Sequence, residues 1–169
     1  MLVAAVAAIL DRDLQTLARE VSAYPDERAL WDMPPGFPNS AGTLALHLAG
    51  NVRHYFGARL GATGYVRDRP AEFASRDVPR ATILALIEEA RAAVSAAAAR
   101  TTPDRLEHDF PEVVGGVRVA TGEYMIHLVS HFAFHLGQLD YHRRVVTGQT
   151  HGVDAVRTAE LGTARPAPD

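Results

Sequence analysis

The sequence predicts an all-α protein, a four-helix bundle with long irregular connections. Four segments of about twenty residues carry apolar side chains at helical spacing, the pattern of amphipathic helices. Helices of that length are about 30 Å long, an ordinary height for a bundle. The connections differ in length and are rich in Pro, Gly and polar residues. With 169 residues, the chain is long enough for one compact domain with a substantial core.

The first helix is predicted over residues 2–23. Leu10, Leu14 and Leu17 continue its apolar face past charged residues, as a core helix does. The apolar run at its start could suggest a signal peptide, but no basic residues precede that run. The sequence YPD at residues 24–26 is a turn signal and ends the helix.

The second helix follows the Pro- and Gly-rich loop MPPGFPNS. Asn39 or Ser40 can cap its start, and its pattern continues to about Leu60. Gly61 follows, as is typical of a helix C-terminus. The connection of residues 61–79 is long, and its length favours a lid or an interface over a bare linker.

The third and fourth helices complete the predicted bundle. Pro79 suits the first turn of the third helix, whose Ala-rich face is more typical of packing within a core than of a dimer interface. Between the two helices, PEVVGGVRVAT has a Gly-Gly turn among β-branched residues and predicts a small hairpin. Thr121 can cap the fourth helix. We expect the bundle to occupy residues 1–149 and the polar tail, residues 150–169, to be disordered.

Composition and charge exclude several classes of function. The formal net charge is -3, so the concentrated basic patch of a nucleic-acid-binding protein is not expected. No apolar run is long enough to span a bilayer, and we expect a cytoplasmic protein with no membrane partner. The chain has no Cys, which excludes disulfides, thiolate metal sites and a Cys nucleophile. Any soft or borderline metal must therefore use His and carboxylate ligands.

Three histidines stand four residues apart in the segment HLVSHFAFHLGQ of the fourth helix. With His131 as the reference, His127 and His135 lie about 40° to either side of it around the helix axis. Gln138 lies within about 20° of the same line. We therefore expect this histidine stripe to occupy the centre of the apolar face and to point into the bundle.

Burying several imidazoles costs free energy unless each ring nitrogen has a partner, and a metal ion supplies one. Two His at i and i+4 can hold one ion, with nitrogens about 2.0–2.1 Å from zinc. The residue after His131 is Phe132, where an HExxH protease has Glu, which argues against a zincin. A third ligand must come from another helix. The second helix offers His47 and His54, with Asn51 between them; the two rings are about 10 Å apart along the axis, so one alone is expected to reach a given ion.

Structural roles compete with metal binding for the other histidines. A single core His is more often a hydrogen-bonded structural residue than a ligand. For His54, His127 and His142, each taken singly, we favour that role or a role in orienting ligands. His108 and His151 lie in polar connections and are expected to be solvated.

The helix-two segment LHLAGNVRHYFGARLG, the late run HxxxHxxGQ and the bundle pattern together resemble the DinB-like superfamily. The stretch from PNSAGTLALHLAGN to GYVRDRPAEF is similar to one of its uncharacterised branches, and the resemblance covers residues 2–146. It implies a four-helix bundle of up-down-down-up topology, and a homodimer. It also implies a divalent metal ion, zinc or nickel, held by His47, His131 and His135. Characterised relatives include thiol-dependent S-transferases and a mycothiol-dependent maleylpyruvate isomerase.

Three neutral imidazoles leave a divalent ion its full charge and an open position, as in catalytic sites. A bound water or thiol would then be activated as a nucleophile. Because the chain has no Cys, a thiol must come from a small cosubstrate. We therefore predict a metal-dependent transferase that joins a low-molecular-weight thiol to a small electrophile. In this scheme ligands or substrate are oriented by Asn51, His54, His127 and Gln138.

Two alternatives stay open at the level of sequence. A metal-dependent hydrolase needs a general base, and Glu123 is poorly placed because it lies about 80° off the line of His131. His54 or His127 could serve as the base, although nothing in the spacing requires it. A non-catalytic, metal-stabilised binding or stress-response module would instead seal its ion with a fourth protein ligand. An anionic cosubstrate could meet Arg53, Arg143 or Arg144 at a rim, although solvated surface charge is the expected role of each.

Overall fold

The computed structural model describes residues 1–167 as a helical bundle, and no β-strand is assigned in that part of the chain. The all-α prediction is therefore confirmed. Four long helices build the bundle, and one short helix lies within the connection of residues 61–79. The helices are α1 (Leu2–Ser22), α2 (Ala41–Val52), α3 (Arg69–Ala74), α4 (Arg80–Arg100) and α5 (Thr121–Thr147).

The core lies between α1, α2, α4 and α5. Both α1 and α2 pack against α4 and α5, so every main helix contacts two others along its length. Leu10, Leu14 and Leu17 of α1 are fully buried, as their spacing predicts. Burial of such a side chain contributes about 1.5–3 kcal/mol. The up-down-down-up order of the helices stays a prediction. Among residues 1–167, no helix combines the length and the apolar character needed to cross a membrane.

The second predicted helix begins and ends where we expected, after Ser40 and at Leu60, but its second half is not α-helical. The Ser40 hydroxyl caps α2 by accepting a hydrogen bond from the Thr43 amide at 3.2 Å. Beyond α2 the chain continues as a π-helix, Arg53–Leu60, which has a wider turn. A Cβ on Gly57 would lie 3.0 Å from the Cβ of Ala93, so this wider turn lies directly against the Ala-rich face of α4. An apolar pattern eight residues long does not distinguish the two helix types.

The connection of residues 61–79 contains α3, which the sequence analysis does not predict. Asp68 caps this helix, its carboxylate accepting a hydrogen bond from the Ala71 amide at 3.0 Å. Pro70 lies in the first turn, where its missing amide hydrogen costs nothing. The helix lies against α2 and carries a charged residue into the site described below.

The predicted hairpin is present as a turn with isolated bridges. Val114 and Val117 form one bridge around Gly115 and Gly116, whose φ values are 59° and 83°. Left-handed φ at two consecutive residues is the geometry that a Gly-Gly turn permits. The bridges do not extend into strands within the described residues.

The predicted cap of the last long helix is displaced by one residue. Ala120 is the N-cap of α5, and the hydroxyl of Thr121 donates to the carbonyl oxygen of His108 at 2.9 Å. The hydroxyl therefore joins α5 to the preceding connection instead of capping the helix. At the other end Gly148 adopts a left-handed φ of 71°, and its amide donates to the Arg144 carbonyl at 2.9 Å.

The beginning of the tail is hydrogen-bonded to α1. Arg19 of α1 donates to the carbonyl oxygens of Val153 and Asp154, at 3.0 and 3.2 Å. A single 3-10 turn, Thr158–Glu160, interrupts the tail. Its predicted disorder stays a prediction, and residues 168 and 169 lie outside the described residues.

Candidate metal centre

Three imidazole rings from two helices meet where α2 packs against α5. One ring nitrogen from each of His47, His131 and His135 lies within 4.8 Å of the other two. The Nε2 atoms of His47 and His131 are 3.4 Å apart. The ring centres of His131 and His135 are 4.6 Å apart. The three residues named as metal ligands from the sequence are thus neighbours in space, and we call them the three-histidine group.

The histidine stripe lies at the edge of the buried face of α5, and the prediction that it forms the centre of that face is wrong. Leu128, Phe132 and Leu136 form the buried centre, about 60–140° around the helix from His131. The helical wheel placed the centre too close to the stripe because it counted the imidazoles as core side chains. His131 itself is half-buried. The ring nitrogens therefore lie where the core meets the surface.

A carboxylate fixes the orientation of the His47 ring. Oε2 of Glu72, from α3, is 3.0 Å from Nδ1 of His47. Because an ionised carboxylate only accepts hydrogen bonds, Nδ1 carries the proton and donates it to Glu72. The lone pair of His47 is then on Nε2, the atom that faces His131. Arg67 holds the same carboxylate through two hydrogen bonds, of 2.7 and 2.8 Å.

The environment of Glu72 keeps this carboxylate charged. Burial raises the pKa of Glu72, but hydrogen bonds from Arg67 and His47 outweigh burial and hold the pKa below its ordinary value. Gly50, one turn beyond His47 on α2, gives the carboxylate room. A Cβ at Gly50 would overlap the Glu72 carboxyl group. The hydrogen bond that joins α3 to α2 thus depends on Gly50 of α2 as well as on Glu72 of α3.

The two members of the three-histidine group that lie on α5, His131 and His135, are held neutral at neutral pH. Burial, together with the charges of the neighbouring histidines, lowers the pKa of His131 to about 4. Burial also lowers the pKa of His135, although a hydrogen bond with Gln138 acts in the opposite direction. Nδ1 of His135 donates to Oε1 of Gln138 at 2.7 Å, which leaves its Nε2 lone pair free. The neutral imidazole is the form that binds a metal ion.

The three-histidine group fits a divalent ion. Two nitrogens bound tetrahedrally at about 2.05 Å from zinc lie about 3.3 Å apart, close to the 3.4 Å between His47 and His131. Nδ1 of His131 is buried without a hydrogen-bond partner among residues 1–167, which costs free energy. Imidazole donors suit zinc, nickel, iron and copper, with no requirement for Cys.

The residues predicted to orient ligands differ in their distance from the group. Gln138 bonds His135 directly. His127 is exposed, stacks on Tyr124 with ring centres 5.6 Å apart, and has its ring centre 6.4 Å from that of His131. Asn51 is buried and makes no side-chain hydrogen bond within residues 1–167.

His54 belongs to a separate cluster in the π-helix. Its Nε2 lies 2.8 Å from Oε2 of Glu112, and Arg59 bonds the same carboxylate. Its Nδ1 is buried and has no partner in the part of the chain that the structure describes. The contacts of His54 are thus those of a structural residue, the role that we favoured for it taken singly.

Arg143 is fully buried, so its predicted alternatives of a rim or a solvated surface are both wrong. Its guanidinium pairs with Glu20 of α1 and, at 3.0 Å, with Asp140. A long side chain on the inner face of α5 reaches across the core to a carboxylate that needs a partner. Arg53 and Arg144 are each paired with a surface carboxylate.

His142 has the contacts of a structural core histidine, which is one of the two roles that we expected for it. It is fully buried, and both of its ring nitrogens have partners. Nδ1 accepts from the Tyr24 hydroxyl at 2.8 Å, and Nε2 donates to the carbonyl oxygen of Asp32 at 2.7 Å. Burial lowers the pKa of His142, so the ring is neutral as this pattern requires.

Glu72 and Arg67 are the site residues that the sequence reasoning missed. They lie in the segment RDRPAEF, whose composition is typical of a polar connection. Asp68 followed by Pro70 is a signal for a helix start, and a helix there carries Glu72 in its first turn. Gly50, three residues after His47, is a second signal because it marks a close approach to α2.

A bundle that gathers three imidazoles from two helices belongs to the class of helical bundles that can hold a divalent ion between facing helices. The chain matches the family model described as mycothiol S-transferase over residues 5–148. The match covers most of the chain, and the chain therefore belongs to the mycothiol S-transferase family, which is DinB-like. The resemblance stated from the sequence is thus confirmed. A search of curated proteins gives no match.

Proposed function

We propose that this chain is a metal-dependent transferase that joins a low-molecular-weight thiol to a small electrophile. Zinc or nickel would be bound by His47, His131 and His135. The observation that carries the proposal is the convergence of three imidazoles, two of them held neutral by burial, on one point. When bound, a divalent ion with neutral ligands keeps its full charge and lowers the pKa of a coordinated thiol. Membership of an S-transferase family supports the choice of reaction.

The thiol comes from a cosubstrate, because the chain has no Cys. The name of the family points to mycothiol, and we propose it as the thiol. Overall, a carbon–sulfur bond replaces the bond to a leaving group, which departs with its electron pair, and the thiol proton is released. Glu72 and Gln138 keep His47 and His135 in the tautomers that bind an ion. The exposure of the His127 ring is compatible with the predicted role of this residue in orienting substrate.

The alternatives receive less support from the same residues. A sealed structural site would need a fourth protein ligand, and within residues 1–167 the group that could hold an ion consists of three histidines. Hydrolysis would need a carboxylate or imidazole free to act as a general base. The carboxylate that contacts the group, Glu72, is already held by Arg67 and His47. Because His54 is bonded to Glu112, the base left to a hydrolase is the exposed His127, whose ring centre is 6.4 Å from that of His131. A homodimer and the absence of a nucleic-acid partner stay predictions.

The test begins with metal analysis of protein purified without chelator or nickel resin. We expect about one divalent ion per chain in the wild type and a loss of most of it in His131→Ala. The matched control is His108→Ala, which removes an exposed histidine outside the group. Equal metal content in the two variants would contradict the proposed ligand set.

Turnover is then measured with a panel of thiols that includes mycothiol, together with an aromatic halide as the electrophile. We expect activity that a chelator abolishes, that added metal restores, and that His131→Ala lacks. Metal-loaded wild-type protein that turns over none of the thiols, nor water, would overturn the proposed transferase.

A further inference from the structure

A pocket of about 290 Å³ opens beside the three-histidine group, between α5 and the loop that precedes α2. His135 belongs both to the group and to the pocket wall. The other large side chains of the wall are apolar or aromatic. They are Phe37, Pro38, Leu44 and Tyr141.

Besides the His135 imidazole and the Tyr141 hydroxyl, the polar side chains of the pocket are neutral amides. Gln138 uses its carbonyl oxygen for His135, so its NH₂ group is available to a ligand. The Asn39 side chain also lines the pocket and makes no hydrogen bond within residues 1–167. No Asp, Glu, Lys or Arg lines the pocket in the described part of the chain. The part of a ligand that enters the pocket would therefore meet no charged side chain, so burying a charged group there is unfavourable.

We propose that this pocket, which we call the electrophile pocket, binds the apolar aromatic part of an uncharged electrophilic substrate. The proposal rests on the proposed function and names its second substrate. A volume of 290 Å³ is at the lower end of small-molecule sites, which suits one substituted aromatic ring. Tyr141 and Phe37 offer ring faces and edges to such a ligand.

The position of His135 links the pocket to the reaction. A ring bound between Tyr141 and Leu44 lies next to the imidazole that would hold the ion, so its reacting carbon is close to the place of the thiol sulfur. The free amide hydrogens of Gln138 and Asn39 are donors for a nitro or carbonyl substituent on that ring. The pocket thus selects electrophiles by shape and by neutral hydrogen bonding.

The test uses Tyr141→Ala with Phe134→Ala as its matched control. Both aromatic side chains lie on α5 and are similarly exposed, at 69% and 64%, but Tyr141 alone lines the pocket. Neither truncation removes a buried core side chain, so both variants are expected to fold. The probe is 1-chloro-2,4-dinitrobenzene, and with no Cys in the chain it meets no thiol on the protein.

Binding is measured in chelated protein without thiol, by quenching of the single Trp, Trp31. Its ring packs on Gly42, which lies in the sequence between Asn39 and Leu44 of the pocket wall. We expect saturable quenching whose dissociation constant rises about fivefold in Tyr141→Ala and is unchanged in Phe134→Ala. Quenching that does not saturate, or equal dissociation constants in the two variants, would overturn the proposal.

Steady-state kinetics of metal-loaded protein give the second measurement. In Tyr141→Ala the KM for the aromatic halide should rise by about the same factor, while the KM for the thiol and the metal content stay unchanged. Iodoacetamide, an electrophile without a ring, should show no effect of this substitution. An equal rise in its KM would contradict a ring-binding pocket.

The two proposals fail separately. Saturable, Tyr141-dependent quenching in a chain that binds no ion would overturn the proposed function and support the ligand class of the pocket. A chain that binds its ion and transfers thiol to iodoacetamide, but shows no saturable quenching, would support the proposed function and overturn the electrophile pocket.

Discussion

A single proton on His47 decides which of its ring nitrogens is free to bind an ion. Glu72 keeps that proton on Nδ1, and Arg67 keeps Glu72 in place with two hydrogen bonds. A carboxylate behind a ligating imidazole fixes the ring and raises its basicity. Residues that never touch an ion can therefore set how tightly the three-histidine group would hold it.

The substitution Glu72→Gln tests this role. The amide removes the negative charge that holds the Nδ1 proton of His47, and we expect metal affinity to fall by about 10–100-fold. Competition with a chromogenic chelator measures the change. The control is Glu112→Gln, the same substitution at the carboxylate that bonds His54. Equal metal affinities in the two variants would rule out a special role for Glu72.

The low pKa of His131 also predicts how stability depends on pH. The folded chain holds this pKa at about 4, below the ordinary value of 6.5, because burial disfavours the charged ring. The unfolded chain therefore binds the proton more readily. The contribution of the neutral ring to stability is complete above pH 6.5 and is lost as the pH falls toward 4.

In chelated protein, we expect the free energy of unfolding to fall more steeply between pH 6.5 and 4 in the wild type than in His131→Gln. Urea unfolding at a series of pH values provides the two curves. Parallel curves across this window would show that His131 does not carry the predicted proton linkage.

The helices differ in how well their sequence predicts them. The long helices carry a strong apolar period, and the sequence therefore predicts them within a few residues. Over the π-helix Arg53–Leu60 the period is too short to distinguish a wider turn from an α-helix. α3 has one turn and a half and no apolar face, so its cap residues, and not its period, identify it.

The residues of the candidate site also differ in how well the sequence predicts them. Spacing identifies His131 and His135 because both are on one helix, and the family resemblance selects His47 over His54. Spacing cannot find Glu72, because its place beside His47 depends on how a connection folds back over α2. The prediction of a central stripe fails because the sequence does not show which part of an amphipathic face is next to solvent.

Two Gly→Ala substitutions, one on α2 and one on α5, are expected to have opposite effects on the free energy of unfolding. In Gly50→Ala the new Cβ would displace the Glu72 carboxylate, so we expect a loss of about 1–3 kcal/mol in the free energy of unfolding and weaker metal binding. In Gly137→Ala nothing lies within 4 Å of the new Cβ, and we expect a gain of about 1 kcal/mol from helix propensity. Thermal unfolding and metal competition check both. A stabilised Gly50→Ala would contradict the close approach.

Across the whole molecule, a buried ion pair joins the first and last helices. Arg143 and Glu20 are both fully buried, so neither charge can turn to water if the other is removed. We expect Glu20→Ala to lower the free energy of unfolding by about 3–5 kcal/mol. Glu160→Ala, which removes the partner of Arg19 in a partly exposed pair, should cost less than about 1 kcal/mol. Similar losses in urea unfolding would contradict this ranking.

His47 and His131 are 84 positions apart along the chain and lie on different helices. A cation bound between them is a removable crosslink, which holds α2 and α5 together only while it is occupied. At a hundredfold excess of free cation over the dissociation constant, such a crosslink adds about 2.7 kcal/mol to stability. The temperature at which the protein unfolds would then rise with the concentration of free metal. A scarcity of the cation would shorten the lifetime of the protein as well as remove any activity that depends on the ion.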